Sequence, residues 1–475
     1  MEHRTKRDPN LNLLVSDFEN MIATGDVSYF NEKSYFQLIE YYEDESQIDK
    51  AIEVIDLALH QFQYRSEFYI AKARLLLQKN EIEETLSFIE TAETIAPYQL
   101  EIMTLKARAY ASRESYSLAL NIIDNVKDTA TPSDKLEICL TEAFVYECMG
   151  DYEAMFQSLK KALIISPTNR EALERIWISV ELSKNYEESI LLHKVVIEEF
   201  PYNHLGWFNL GHAHACVGEY EQAIDALEYS FLTNKDFEAG YIDCAELCFQ
   251  VQEYARAKDI YEELNARFGP DAEYLVGVAH SQYQVGDYLG AKNNFKKALK
   301  IDPYNDEAYY LIANCHIKES NWLQALNALN QAIDLDDMRE EYYHSLARCY
   351  VHLGDFVSAK KYYYKAAKNG VEQPLYWEEY ISFLIKIGEF NAASRIINEA
   401  EKFTYSDKLI YCKAIISINS DQRRKGIEAL EEALIENFDN HKFFLDLDPE
   451  MNNDKDVVSA IKYYQGEKES IQSNI

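Results

Sequence analysis

The chain of 475 residues carries 81 Asp and Glu residues against 47 Lys and Arg residues, a formal net charge of −34 at pH 7. Because neutralising phosphates requires clustered cations, this balance argues against binding to nucleic acid or to an anionic membrane surface. Gly and Pro are scarce, at 15 and 9 residues, and the sequence contains neither a low-complexity linker nor strand-like alternation. The composition therefore favours an almost entirely helical protein with no internal domain boundary.

The first predicted element is a helix over residues 11–22, in which Leu13, Leu14, Phe18, Met21 and Ile22 are apolar. Residues 1–10 before it are polar and predict a disordered tail. No continuous apolar stretch follows the basic start of the chain, so no secretory signal is expected. No run of about 18 apolar residues is present to span a bilayer. We therefore expect a soluble, cytoplasmic protein.

From residue 32 onward the chain repeats itself, and an aromatic residue returns at a constant interval of 34 positions. The members of this series are Tyr152, Tyr186, Tyr220, Tyr254, Tyr288, Trp322, Phe356 and Phe390, with Tyr116 two residues out of phase. Three residues after each aromatic lies a residue that is usually small, at Ala119, Met155, Ser189, Ala223, Ala257, Ala291, Ala325, Ala359 and Ala393. Alignment on this position extends the series back through Thr85 and Ala51. Twelve units then cover residues 32 to about 438, which is typical of one supersecondary unit stacked on copies of itself.

Residues 272–305 are the clearest copy of the unit. A first helix carries Leu275, Val278 and the small Ala279, and Gly286 with Asp287 forms a turn. A second helix then shows apolar residues at spacings of three and four from Tyr288 to Ala298, and Pro303 ends it. The pattern predicts an antiparallel helical hairpin whose small residues allow close approach of the two helices.

This order of large, small, aromatic and Ala positions, with Pro at Pro97, Pro167, Pro201 and Pro303, resembles the tetratricopeptide repeat family. The resemblance covers about seven eighths of the chain and implies an all-α fold, an α-solenoid in which antiparallel hairpins form a right-handed superhelix. Two places depart from the pattern: an insertion near residues 129–132, and the last unit, where Gly426 replaces the usual Ala and the first helix around Ile410 is weak.

The predicted organisation has three parts. Residues 1–31 form the polar tail and leading helix, residues 32–438 form a single solenoid of about twelve repeats, and residues 439–475 contain a capping helix and a disordered tail. The capping helix is expected over residues 457–464 and the tail over residues 466–475, because the ends of a solenoid must be covered.

Motifs for catalysis, metal binding and cofactor binding are missing from the sequence, which predicts a protein that is not an enzyme and holds no cofactor. Cys244 and Cys248 lie four residues apart without further ligands nearby, which favours core packing over metal binding. His212 and His214 lie two apart on a predicted helix and point in different directions, so they are poor co-ligands.

The resemblance implies that first helices line a concave groove, which binds an extended peptide or a helix of a partner protein through the second, fifth, ninth, twelfth and thirteenth positions of each unit, with the sixth sometimes contributing. In the amino-terminal units these positions are acidic, relieved by Lys33, Arg74 and Arg108. The acidic positions are Glu40, Glu43, Asp44, Glu67, Glu101, Glu137, Glu147, Glu171, Glu174 and Glu181.

The middle and carboxy-terminal units place aromatic, amide and basic residues on the same surface. These candidate binding residues are Phe208, Asn209, His212, His280, Tyr283, Tyr310, Asn314, Lys318, His344, Arg348, His352 and Lys386, with Glu273, Glu307, Glu341 and Glu378 at the rim. One interpretation is a site for an acidic peptide, in which Arg348 grips a carboxylate. The alternative is that a row of exposed positions carries some bases by chance.

The fifth positions contain no Lys, so the carboxylate clamp of chaperone-binding members of the family is not matched. We expect a non-catalytic scaffold that binds another protein in the groove, without nucleic acid and without membrane insertion. One alternative is a regulatory or assembly subunit that recruits an enzyme or carries an active site in the groove, and another is a structural protein that self-associates through the ends of the solenoid.

Overall fold

The computed structural model describes residues 9–24, 29–127, 130–420 and 422–472, and within these ranges it contains helices and no strand. A leading helix, α1 (Pro9–Thr24), is followed by twelve antiparallel hairpins, which confirms the predicted fold and repeat number. Their first helices are α2 (Glu32–Asp44), α4 (Ser66–Gln78), α6 (Leu100–Ser112), α8 (Lys135–Met149), α10 (Arg170–Ser183), α12 (His204–Cys216), α14 (Glu238–Gln250), α16 (Ala272–Gln284), α18 (Asp306–Lys318), α20 (Glu340–His352), α22 (Pro374–Lys386) and α24 (Asp407–Asn419).

The second helix of most hairpins begins at the aromatic residue of the 34-residue series. The second helices are α3 (Ile48–Gln61), α5 (Ile82–Ile95), α7 (Tyr116–Lys127), α9 (Tyr152–Ile165), α11 (Tyr186–Glu199), α13 (Tyr220–Thr233), α15 (Tyr254–Phe268), α17 (Tyr288–Ile301), α19 (Trp322–Leu335), α21 (Phe356–Asn369), α23 (Phe390–Ala400) and α25 (Arg423–Glu436). Two short helices, α26 (His441–Leu447) and α27 (Lys455–Gln472), and the 3-10 turns Phe438–Asn440 and Pro449–Asn453 complete the chain.

The contacts divide the chain into two compact units, residues 1–240 and residues 241–475, with the division inside α14. Each unit is a stack of hairpins, in which a hairpin packs on its neighbours along the chain. One continuous solenoid over residues 32–438 stays a prediction.

The hairpin α16–α17 shows how the repeated residues build the unit. Ala279 and Ala291 are fully buried where the two helices meet, because a methyl side chain allows close approach. Gly286 takes the left-handed conformation, with φ of 87°, and Asp287 caps α17 by accepting a hydrogen bond from the Gly290 N–H at 2.9 Å. The turn expected from the sequence is therefore present.

A recurring hydrogen bond fixes the start of several first helices. The indole N–H of Trp377 donates to the carbonyl of Val371, six residues earlier, at 3.0 Å. Trp207 makes the equivalent bond to Pro201 at 2.8 Å, and the hydroxyl of Tyr69 bonds to Gln63 at 3.1 Å. Each ring thus ties its helix to the loop that precedes it.

The ends of the chain differ in part from the expectation. Helix α1 begins at Pro9 and α27 runs to Gln472, so Pro9, Asn10 and residues 466–472, expected in disordered tails, are helical. The rest of those tails, residues 1–8 and 473–475, lies outside the described residues. Helix α1 covers the first hairpin through Phe18, whose ring lies 6.1 Å from that of Tyr42, and α27 buries Val457 completely.

The two irregular places of the repeat have different outcomes. Part of the insertion, residues 128–129, lies outside the described residues, and Asp134 closes the turn after it by accepting hydrogen bonds from Thr131. The expectation of a weak first helix around Ile410 is wrong. Helix α24 is regular over thirteen residues, with Tyr411 and Ile415 fully buried.

Gly426, at a position where most other units carry Ala, lies close to the backbone of the first helix of its hairpin, α24. A Cβ at this position would lie 2.7 Å from the backbone nitrogen of Ile418 and 3.0 Å from the carbonyl oxygen of Ala414. We expect Gly426→Ala to lower the free energy of unfolding by about 1–3 kcal/mol, because backbone atoms cannot move aside as a side chain can. Urea unfolding followed by circular dichroism measures this change.

Gly466→Ala is the matched control for this substitution. Gly466 also lies in a helix, α27, but a Cβ there meets no atom within 4 Å. Since alanine is the better helix former, this variant is expected to gain roughly 0.5–1 kcal/mol. Equal stability of the two variants would contradict the close packing of α24 and α25.

Candidate binding face

Within each unit the first helices pack against the first helices of neighbouring hairpins, as α6 does on α8 and α22 does on α24. The second helices contact chiefly first helices. First helices therefore lie closer together, and their exposed side is the concave side of each stack. We call this surface the inner face.

In the first unit the predicted residues Phe208 and His212 lie together on α12. Their rings meet edge to face at 4.4 Å, and His212 also contacts the ring of Trp177 on α10 at 4.8 Å. Asn209 is different, since it is only 2% exposed and its amide donates to the carbonyl of Leu173 at 2.8 Å. Asn209 therefore joins α12 to α10 and does not lie on the open surface.

The acidic positions of the first unit are partly neutralised by ion pairs between first helices. Arg108 lies 3.3 Å from Glu137 and 3.9 Å from Glu171. Arg175, which the sequence analysis did not single out, lies 2.7 Å from Glu171 and 2.6 Å from Glu147.

A half-buried aromatic ring supports both of these arginines. The guanidinium carbons of Arg108 and Arg175 lie 5.7 and 5.9 Å from the ring centre of Phe144, within cation–π range. Burial raises the pKa of Glu137, against the opposing charge of Arg108. The acidic part of the inner face in the first unit thus contains a network of ion pairs that links three hairpins.

In the second unit several aromatic and histidine rings lie along the inner face. His280 lies 4.6 Å from the ring of Phe249, and burial lowers its pKa. Tyr283 and Tyr310 are half-buried, and the ring of Tyr310 lies 4.8 Å from that of Tyr342 on the next first helix. These rings give the face apolar area between its charged positions.

Three cations of the second unit, Lys318, Arg348 and Lys386, are exposed, and we call them the basic patch. Lys318 ends α18, and Lys386 ends α22. Within the described part of the chain, no ion pair or hydrogen bond engages their side chains. Asn314 lies one turn before Lys318 and is half-buried, and His352 stacks its ring on Trp322 at 3.9 Å.

The predicted His344 is half-buried, with 13% of its side chain exposed, and its Nε2 lies 3.8 Å from a carboxylate oxygen of Glu379. That distance is an ion-pair separation and not a hydrogen bond. Glu379 was not among the residues selected from the sequence. Its pKa is lowered, first by the His344 imidazole and then by the charges of Arg348 and Lys386.

Two of the rim acids are engaged by cations outside the patch. Glu341 pairs with Arg339 at 3.3 Å, and Glu378 is 9% exposed, accepts a hydrogen bond from Ser406 and lies 3.6 Å from Lys408. Neither carboxylate is therefore available to neutralise the basic patch.

Within the described residues, no group of three or more His, Cys, Asp or Glu side chains is arranged to hold a metal ion. No helix in this part of the chain is long and apolar enough to span a bilayer. Cys244 and Cys248 are buried. Burial raises the pKa of the Cys315 thiol to about 12 and that of Cys349 to about 11, which keeps both protonated at neutral pH.

The repeated hairpin and its inner face define an α-solenoid, and comparison with known families gives its class. Two tetratricopeptide repeat models match the chain, over residues 282–349 and over residues 340–369. Residues 282–369 of this chain therefore match the tetratricopeptide repeat family. No curated protein sequence matches it.

Solved structures similar to this chain have low identity. A tetratricopeptide repeat protein from Parabacteroides merdae is 15% identical and aligns over 52% of this chain and 97% of its own, with a TM-score of 0.36. MamA is 15% identical over 34% of this chain and 89% of its own, with a TM-score of 0.33. YrrB, described as a TPR protein with an unusual peptide-binding site, is 15% identical over 39% of this chain and 95% of its own, also with a TM-score of 0.33.

Proposed function

We propose that this chain is a non-catalytic scaffold that binds an extended peptide or a helix of another protein on the inner face of its second unit. Tetratricopeptide repeat proteins are in general protein-interaction scaffolds, and the family match supports that coarser role. The observation that carries the finer proposal is the basic patch, whose three cations are exposed and unpaired beside half-buried tyrosines.

The chemistry of the face suits a protein ligand. Arg binds a carboxylate through two parallel hydrogen bonds, and Tyr supplies large contact area at small cost in side-chain entropy. A chain with a net charge of −34 repels polyanions over most of its surface, which favours a protein over nucleic acid as the partner. None of the eight cysteines forms a disulfide, which suits a reducing compartment such as the cytoplasm.

Charge reversal of the patch tests the proposal. The variant Lys318→Glu, Arg348→Glu, Lys386→Glu is expected to lose at least one partner in affinity capture from native cell extract, with affinity reduced tenfold or more, since reversed charges repel an acidic ligand at contact distance. Quantitative mass spectrometry of the captured proteins is the measurement.

The control is Lys296→Glu, Lys361→Glu, Lys425→Glu, which changes the charge equally at exposed positions of α17, α21 and α25. This variant should keep the partner. Photo-crosslinking from position 310 on the inner face, compared with position 364 on α21, then shows where the partner lies. Identical partners in all three proteins, with no cross-link from position 310, would refute binding on this face.

A further inference from the structure

The basic patch contains one acid, Glu379, in a position that an incoming carboxylate could also occupy. Glu379 reaches from α22 toward His344 on α20, where its carboxylate oxygen lies 3.8 Å from Nε2. Arg348 follows His344 by four residues on α20, and Lys386 follows Glu379 by seven on α22. At these spacings each cation shares a helix face with its partner, so both helices turn positive charge toward the Glu379 carboxylate.

The site is incompletely satisfied as it stands. The His344 side chain is 13% exposed. Its Nε2 is buried and has no hydrogen-bond partner among the described residues. The lowered pKa of Glu379 reflects the attraction of His344, Arg348 and Lys386 for a negative charge at this point. One carboxylate thus faces several cationic or hydrogen-donating groups and forms a hydrogen bond with none of them in the described structure.

The charge balance leaves room for another acid. Arg348 and Lys386 contribute two positive charges beside Glu379, which removes one, so a net positive charge remains at this point. Since Glu341 and Glu378 are bound to Arg339, Ser406 and Lys408, they do not reduce it. In a chain of net charge −34, a local positive surface attracts an acidic segment that the rest of the molecule repels.

We propose that Glu379 holds, in the free protein, the place of an acidic side chain of the partner, so that the second unit binds a peptide segment rich in Asp or Glu. This inference rests on the proposed function and names the class of ligand. When the ligand binds, its carboxylate replaces Glu379 beside Arg348 and Lys386, and Glu379 turns toward solvent. Glu379 therefore weakens the binding of acidic segments and sets the number of carboxylates that a partner must supply.

A capped hexaglutamate peptide with an uncharged fluorophore is the probe, and fluorescence anisotropy at low ionic strength with the full chain is the measurement. We expect Glu379→Gln to tighten binding by about fivefold, because it removes one like charge a few ångströms from the ligand. Arg348→Gln should weaken binding by about fivefold or more. Glu431→Gln, which removes an exposed acid from α25, is the matched control and should change affinity by less than about twofold.

Each outcome decides a separate point. Equal tightening by Glu379→Gln and Glu431→Gln would show an effect of net charge and overturn the role of Glu379. Binding of hexaglutamine as tight as that of hexaglutamate, or no binding of hexaglutamate to the Glu379→Gln variant, would overturn the acidic ligand class. In either case a partner cross-link from position 310 would leave the proposed function standing, whereas loss of that cross-link refutes the function itself.

Discussion

Trp377→Ala is expected to lower the free energy of unfolding of the second unit by about 3–5 kcal/mol. Trp377 is completely buried, its ring stacks on Phe403 at 6.4 Å, and its indole N–H donates to the carbonyl of Val371. Alanine removes the ring, leaves a cavity and deprives the partly buried carbonyl of Val371 of its hydrogen-bond donor.

Trp377→Phe separates the two contributions to this loss. Phenylalanine keeps most of the apolar volume but cannot donate to Val371, so a smaller loss, on the order of 1–2 kcal/mol, is expected. Urea unfolding gives the total change, and hydrogen exchange of the α22 amides shows whether the loss stays near this hairpin, as expected where units pack only on their neighbours. A loss below about 1 kcal/mol for Trp377→Ala would contradict the packing described.

The stability of the protein should fall as the pH drops from about 6.5 to about 4, and His193 should cause a large part of that fall. His193 is fully buried on α11, and its Nδ1 lies 2.8 Å from the carbonyl oxygen of Ser189. Burial lowers its pKa to about 4. In the unfolded chain the His193 imidazole is protonated as the pH falls below about 6.5, whereas in the folded chain it stays neutral until about pH 4. Because the unfolded state binds the additional proton, the free energy of unfolding decreases across this pH range as the pH falls.

The expected size of the His193 contribution is about 3 kcal/mol over the full window, from about 1.4 kcal/mol for each unit of pKa difference. His193→Leu should remove it, because leucine occupies the same position of the second helix in other hairpins, at Leu159 and Leu227. Urea unfolding at pH values from 4 to 7 measures the slope.

His60→Gln, at an exposed position of α3, is the control for this series and should keep the slope. Burial also lowers the pKa of His204, His280 and His316, so part of the slope remains in the His193→Leu variant. An unchanged slope in that variant would contradict the burial of a neutral imidazole.

The hairpins and their number could be predicted from the sequence because the signals that fix them are local. Each aromatic residue of the series, such as Tyr288, begins a second helix, and the small residue three positions later, such as Ala291, lies at the contact between the two helices. For residues 466–472 the local signal was misleading, and the prediction of a disordered tail was wrong. Their polar composition suggested disorder, yet Glu, Lys and Gln are strong helix formers, and they extend α27.

The inner face could be predicted only in outline, since its chemistry depends on which side chains meet between hairpins. Arg175 and Glu379 both occupy the sixth position of their units, which contributes to the groove in only some repeats, and both turned out to lie within ion-pair distance of a neighbouring first helix. Asn209, in the same position, is instead buried. Whether the sixth residue of a unit is buried or exposed depends on how its helix packs on the neighbouring helices. The 34-residue period of the sequence does not contain that information.

The turn inside each hairpin has a consequence for how the repeats can diverge. Among the residues that the structure describes, eleven hairpins place one residue with positive φ between their helices, and in six of them it is not glycine. These residues are Ser46, Asn80, Glu114, Gly150, Lys184, Gly218, Gln252, Gly286, Ser320, Gly354 and Gly388. Their spacing of 34, with a single step of 36 at the insertion, matches that of the aromatic series.

The left-handed conformation costs a residue with a Cβ on the order of 1 kcal/mol. The packing between neighbouring hairpins offsets this cost. The repeats can therefore differ at this position without losing the turn. The backbone conformation recurs along the chain more strictly than the residue that adopts it, so repeats with dissimilar sequences at the turn can still stack as neighbours.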